Sequence, residues 1–253
     1  MALSMRHWAV SCGVIEENNG AMQPTELGRR LFGGDRPWDP YMERPATSWL
    51  AQWRVAGTPD QTTTWYWAFN HVASSTFDHE SLTQAILAYC RERRWPRIAE
   101  KTVSRDVECF IRSYVPRIDK NFAEDALEPV LAELGLVRPI GGRMYEFRRG
   151  AKPTLPDAVF AFALNEFWDR YAGDVASLAV EAIAYEPGSP GRVFKLDENS
   201  LVERLANIGA VTKDRLVWSD TAGVRQVIRA KRIADPLALL AGAYSEPERS
   251  RVA

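Results

Sequence analysis

The sequence predicts a mainly α-helical fold with small β-hairpins, an α+β chain of tandem winged-helix and helix-turn-helix-like units. Three observations predict it. Apolar residues recur at helical spacing through most of the longer segments. A helix, a Gly-apolar step and a turn follow one another three times along the chain. A short helix over Glu100–Tyr114 stands behind another helix and a basic connection, the order found in a helix-turn-helix.

The first unit spans 1–62. Cys12-Gly-Val-Ile-Glu16 ends a helix and starts a strand, and Asn18-Asn19-Gly20 turns the chain back toward Met22–Phe32. From Gly33 to Thr62 the composition is polar and loop-rich, a crossover holding Trp38, Trp49 and Trp53, with Trp65 and Trp67 just beyond. Nine tryptophans could form an aromatic core or a base-stacking surface for single-stranded nucleic acid. Their helical spacing with Leu50, Ala51, Val55, Ala68 and Phe69 favours the core.

The second unit spans 63–152. A helix from Ser81 to about Arg91 carries Leu82, Ile86, Leu87 and Tyr89 for burial, and Arg93, Arg94 and Arg97 make the connection basic. Val103, Val107, Phe110, Ile111 and Tyr114 then form an apolar stripe, leaving Arg105, Glu108, Arg112 and Ser113 outward. Thr102 or Ser104 is expected to cap this helix. Leu134-Gly-Leu-Val-Arg138, Gly141-Gly142 and Arg143–Arg148 read as a helix end and a hairpin.

The third unit spans 153–253. Pro156 opens a strong helix over Asp157–Tyr171. The prolines and glycines of Tyr185–Asp197 predict a compact loop, followed by a helix near Asn199 capped by Asp197 or Ser200. Ile208-Gly-Ala-Val-Thr212 and Leu216–Ser219 repeat the helix-Gly-strand step, with Gly209 as the helix end. Asp220 is then expected to cap a further helix whose edge holds Arg225, Arg229, Lys231 and Arg232.

These placements select candidate DNA-binding residues. Arg94, Lys101, Arg105 and Arg112 belong to the groove-facing helix and its approach, where cations and a helix N-terminus can face phosphate. Gly188 and Ser189 can offer backbone N–H groups to an anion, with Arg192 and Lys195 adding charge and Arg225 a further basic contact. The alternatives are an ordinary αα-corner for the first group and a structural turn for the second.

A net charge of −1 excludes global basicity as the source of any affinity for nucleic acid, so local asymmetry must supply it. Cys12, Cys90 and Cys109 are far apart and read as buried, reduced thiols of a cytoplasmic protein. No metal-ligand spacing, catalytic triad order or membrane-spanning run is legible.

Longer motifs carry a resemblance. Thr63–Asn70 (TTWYWAFN), Arg105–Arg112 (RDVECFIR), Arg149–Pro156 (RGAKPTLP), Pro187–Glu198 (PGSPGRVFKLDE) and Asp220–Arg225 (DTAGVR) resemble the SspB-like family of the bacterial Ssp DNA phosphorothioation and phage-defence system, from about Met5 to Tyr244. The resemblance implies binding of double-stranded DNA and nicking, or assistance with nicking, so that sulfur can enter the backbone. It implies a divalent metal such as Mg, and as partners a PAPS-reductase-like protein, an ATPase and a cysteine desulfurase, with no membrane. It implies a further N-terminal segment ahead of Met1, and it designates no catalytic residue in this sequence. A winged-helix regulator or recruitment scaffold without catalysis is the alternative.

Overall fold

The computed structural model describes residues 2–95, 98–116 and 129–245; Arg97 of the basic connection lies outside them. Helices dominate, with three small antiparallel sheets, so the mainly helical α+β expectation holds.

Helix α1 (Ala2–Ser11) leads into the hairpin β1 (Ile15–Asn18) and β2 (Ala21–Pro24). Asn19 and Gly20 both take positive φ, the conformation a two-residue turn of this hand demands. Thr25 caps α2 (Glu26–Phe32), accepting from the Gly28 N–H at 2.9 Å and donating to the Gly13 carbonyl at 2.6 Å. The supposed loop-rich crossover contains a buried helix, α3 (Pro45–Gly57), with Pro45 at its first turn. Trp49 and Trp53 sit on it at 0% and 2% exposure. Their indole N–H groups donate to Thr154 Oγ1 at 3.1 Å and Glu166 Oε2 at 2.7 Å. These tryptophans are packing residues, not a stacking surface.

The next stretch runs α4 (Thr63–Asn70), β3 (Thr76–Asp78), α5 (His79–Glu92), α6 (Glu100–Tyr114), a 3-10 turn (Ala132–Leu134), β4 (Val137–Gly141) and β5 (Met144–Phe147). The strand order is β3-β5-β4. Asp78 and Ser81 form a reciprocal capping box at the start of α5. Gly135 ends the 3-10 turn in the left-handed region, as its place in the sequence predicts.

The same order of elements returns: α7 (Asp157–Tyr171), β6 (Ser177–Ala179), α8 (Val180–Tyr185), α9 (Pro190–Val193), α10 (Glu198–Ala206), α11 (Ile208–Thr212), β7 (Leu216–Thr221) and β8 (Val224–Arg229), with strand order β6-β8-β7. Helix α12 (Leu237–Ser245) closes over α7. Gly209 lies inside α11, and the left-handed end falls to Lys213 instead. The helix expected after Asp220 is a strand: Ala222 and Gly223 both take positive φ and make the β7–β8 hairpin turn. Asp220 pairs with Arg225 across that hairpin rather than capping anything. Residues 190–193, expected to be irregular, form a single helical turn capped by Ser189.

The buried apolar residues form one continuous cluster from Leu27 to Tyr244. Helix α3 is its axis, touching α4, α7 and α9. Cys90 is buried and Cys12 half-buried, but Cys109 is exposed, contrary to expectation; all three are free. No described helix is long and apolar enough to cross a membrane.

Candidate nucleic-acid interface

Helix α6 buries the predicted stripe, Val103, Val107, Phe110, Ile111 and Tyr114, and turns its other side outward. Two polar contacts hold it in place. His79 Nε2 is 2.9 Å from the Ser104 carbonyl oxygen. At the other end the fully buried Tyr114 hydroxyl donates to Gln52 Oε1 at 2.5 Å, and Gln52 Nε2 donates to the Val193 carbonyl at 3.0 Å. Burial pushes the Tyr114 pKa well above its ordinary value, so the hydroxyl remains a donor. The helix begins at Glu100, so Thr102 and Ser104 lie inside its first turns and cap nothing; Ala99 occupies the cap position without a side-chain bond.

Lys101 and Arg105 are exposed on α6, and Arg94 is exposed in the connection ahead of it, with φ 54°. None of the three forms an ion pair with a described residue. Arg112 differs, because Glu108, one turn earlier, takes its guanidinium. The hairpin β4–β5 adds an exposed cation that the sequence reading passed over: Arg143, at φ 64° beside Gly142 in the turn. Its signal was the Gly-Gly-Arg tip itself, which can only project.

The loop at 187–195 does not form the expected anion nest. The Gly188 N–H donates to Asn70 Oδ1 at 2.7 Å, and Ser189, at 0% exposure, caps α9 through the Arg192 N–H. Lys195 is 3% exposed, and its ammonium donates to the Phe69 carbonyl at 2.8 Å. The reason is position: the loop is wedged against α3 and α4, where backbone polar groups must find internal partners. Arg192 alone keeps a half-exposed guanidinium, with Nε donating to the Tyr185 carbonyl at 2.9 Å.

The expected basic helix edge is part of strand β8 and the chain after it, and its arginines meet carboxylates. Arg225 lies 2.6 Å from Glu198 and 3.9 Å from Glu181; Arg229 lies 2.7 Å from Asp169; Arg232 lies 3.6 Å from Asp174. These three arginines are electrostatically compensated.

A divalent ion such as Mg needs a converging set of oxygen ligands. Among the described residues no group of three or more His, Cys, Asp or Glu could hold one. Glu166 and Asp169 do share a cavity of about 330 Å³ with Arg54 and Arg170. There Glu166 accepts from Trp53 and Arg54, while Asp169 accepts from Asn165 and Arg229. Both carboxylates are already held by guanidinium groups, so among the described residues none fits the ion.

A crystal structure of SspB matches with a TM-score of 0.81 and 29% identity, covering 95% of this chain and 73% of that one. A magnesium ion-bound SspB crystal structure matches with a TM-score of 0.82 and 28% identity, covering 96% of this chain and 74% of that one. No curated protein matches. A family model described as "Protein of unknown function (DUF4007)" matches residues 1–244. Sharing its fold with SspB and matching that model almost from end to end, the chain belongs to the DUF4007 family.

Proposed function

We propose that this chain is a DNA-binding component of an Ssp-type DNA phosphorothioation and anti-phage system. In this reading the two repeats of helix, strand, helices and hairpin are winged-helix units. The first of them sets α6 toward the major groove and the β4–β5 hairpin, with Arg143, against the neighbouring backbone. The observation that carries it is the uncompensated set Arg94, Lys101 and Arg105 on and before α6, in a chain that matches SspB over 95% of its length. Cations without carboxylate partners are available to displace counterions from phosphate. The chain's role is to hold DNA while it is nicked for sulfur insertion, either by its own chemistry or by assisting a partner of the PAPS-reductase-like, ATPase or cysteine desulfurase kind. No residue is assigned to the nicking step.

Two measurements on the whole chain test this. Duplex DNA should be retarded at low salt; failure to bind any DNA would remove the reading. Supercoiled plasmid incubated with and without Mg then separates two roles. Conversion to open circle supports intrinsic nicking, and binding without conversion supports the recruitment scaffold.

A further inference from the structure

The face formed by α4, the ends of α5 and α7 and the loop before α9 carries aromatic rings that reach the surface at the edge of the core. A cavity of about 230 Å³ opens there, lined by Tyr66, Phe167, Arg170, Tyr171 and the backbone of Gly188. That is below the roughly 300–1,000 Å³ of sites enclosing a whole drug-sized molecule, and suits a single planar ring system. Phe167 and Tyr171 are stacked, with centroids 5.1 Å apart and planes at 16°. Tyr171 is nonetheless 49% exposed.

From Tyr66 the rings continue across the surface. Tyr66 lies 5.6 Å from His71, His71 lies 5.8 Å from both Trp67 and Tyr89, and Tyr89 lies 6.0 Å from Trp95, which is 42% exposed. Burial, with Arg192 and Arg93 nearby, lowers the His71 pKa, which keeps its ring neutral near pH 7. Arg93 lies over the Tyr89 ring at 5.4 Å, and neither Arg93 nor Arg192 has a carboxylate partner among the described residues. Asp60, which acts on both Tyr66 and Arg170, is the acidic neighbour at the cleft end. His71, Trp95 and Tyr171 are exposed and Tyr66 and Tyr89 half-buried; such rings flanked by uncompensated guanidinium groups are what a sequence-tolerant site for unpaired nucleotides requires: π-faces for the bases and cations for the backbone. Arg93 is followed directly by Arg94, so this face and the α6 face meet at the end of α5.

We infer that this face binds unpaired DNA, with one base entering the Tyr66–Phe167–Tyr171 cleft, further bases stacking along His71 and Tyr89, and the backbone following Arg192 and Arg93. The inference rests on the DNA-binding reading above and adds to it the strand state that is held.

The test is fluorescence anisotropy on the whole chain with a short oligothymidylate and with a blunt duplex of the same length. Tyr171→Ala and His71→Ala change exposed side chains, and their melting temperatures should match the parent. Each should weaken oligothymidylate binding about tenfold or more, the loss of one base–aromatic stack, and leave duplex affinity unchanged. A parent chain that binds duplex but not oligothymidylate overturns this inference and leaves the proposed function standing. So do variants that weaken both ligands equally, or neither. A parent that binds neither ligand overturns the inference together with the reading beneath it.

Discussion

The ammonium nitrogen of Lys195 donates a hydrogen bond to the main-chain carbonyl of Phe69 at 2.8 Å, and lies 4.2 Å from the centroid of the Phe147 ring. A lysine expected at a phosphate thus ties the chain before α10 to the end of α4 and to strand β5. Lys195→Ala should lower stability by about 2–5 kcal/mol, the range for emptying a core position of this size. Lys195→Met keeps the volume and removes the desolvation cost, so its change should stay under about 1.5 kcal/mol. Chemical denaturation checks both. Neither variant should alter duplex affinity of the folded fraction, and a lost DNA contact in the stable Met variant would show that the lysine reaches out after all.

The same lysine makes stability depend on pH. Burial, with Arg149 and Arg192 nearby, holds its native pKa well below the ordinary value. The unfolded chain therefore binds the extra proton, and stability rises as pH climbs from the native pKa to the ordinary lysine value of about 10.4. Lys152, pushed down to about 8 from 10.5 by burial, gives a second rise between those two values. The Cys12 thiol, pushed up from 9.0 to about 11 by burial, opposes both lysines above pH 9, so denaturation midpoints should climb in the parent between pH 8 and about 9. They should climb less steeply in Lys195→Met, where only the Lys152 contribution of the two remains. Identical slopes would mean that Lys195 is not desolvated.

Tyr114→Phe removes a single oxygen from the mount of α6. Gln52 Oε1, on a residue with 0% exposure, would lose the donor that lies 2.5 Å away. An orphaned buried acceptor costs about 1–3 kcal/mol, and urea unfolding should register that loss. An unchanged midpoint would indicate that water replaces the hydroxyl.

Gly188 and Gly223 separate conformational from steric cost. Both have positive φ, 79° and 81°. A Cβ at Gly188 would meet the Gly57 carbonyl oxygen at 2.9 Å, whereas nothing lies within 4 Å of one at Gly223. Alanine at either costs about 1–3 kcal/mol of backbone strain. Gly188→Ala should lose clearly more, and equal thermal shifts would refute the close packing of the loop on α3.

Much of the helical frame was legible. The wide apolar face and first-turn Asp157 mark α7 to its observed ends, and the stripe from Val103 to Tyr114 marks the buried side of α6. Where reading failed, the causes are local. Pro45 signals a helix start, but the prolines and glycines of 33–44 spread a loop composition over it. The β7–β8 turn places Ala222 at positive φ, where Asn or Gly is the usual sign, so the strand after it looked like a helix. Tyr171 completes an apolar helical face in the sequence yet stands in solvent at the cleft. The fate of Lys195 was not readable, because its partner carbonyl lies 126 residues away and a lysine's type predicts the surface.

If the uncompensated cations on and before α6 hold DNA by its phosphates, duplex affinity measured against salt must differ between the parent and Arg94→Ala/Lys101→Ala/Arg105→Ala. All three side chains are exposed, so folding should be retained. Each lost phosphate contact should reduce the log–log salt slope by about 0.9, so the triple variant should bind weakly with a slope lower by roughly 2.7. The same slope and the same affinity in parent and variant would mean that these three cations do not meet phosphate.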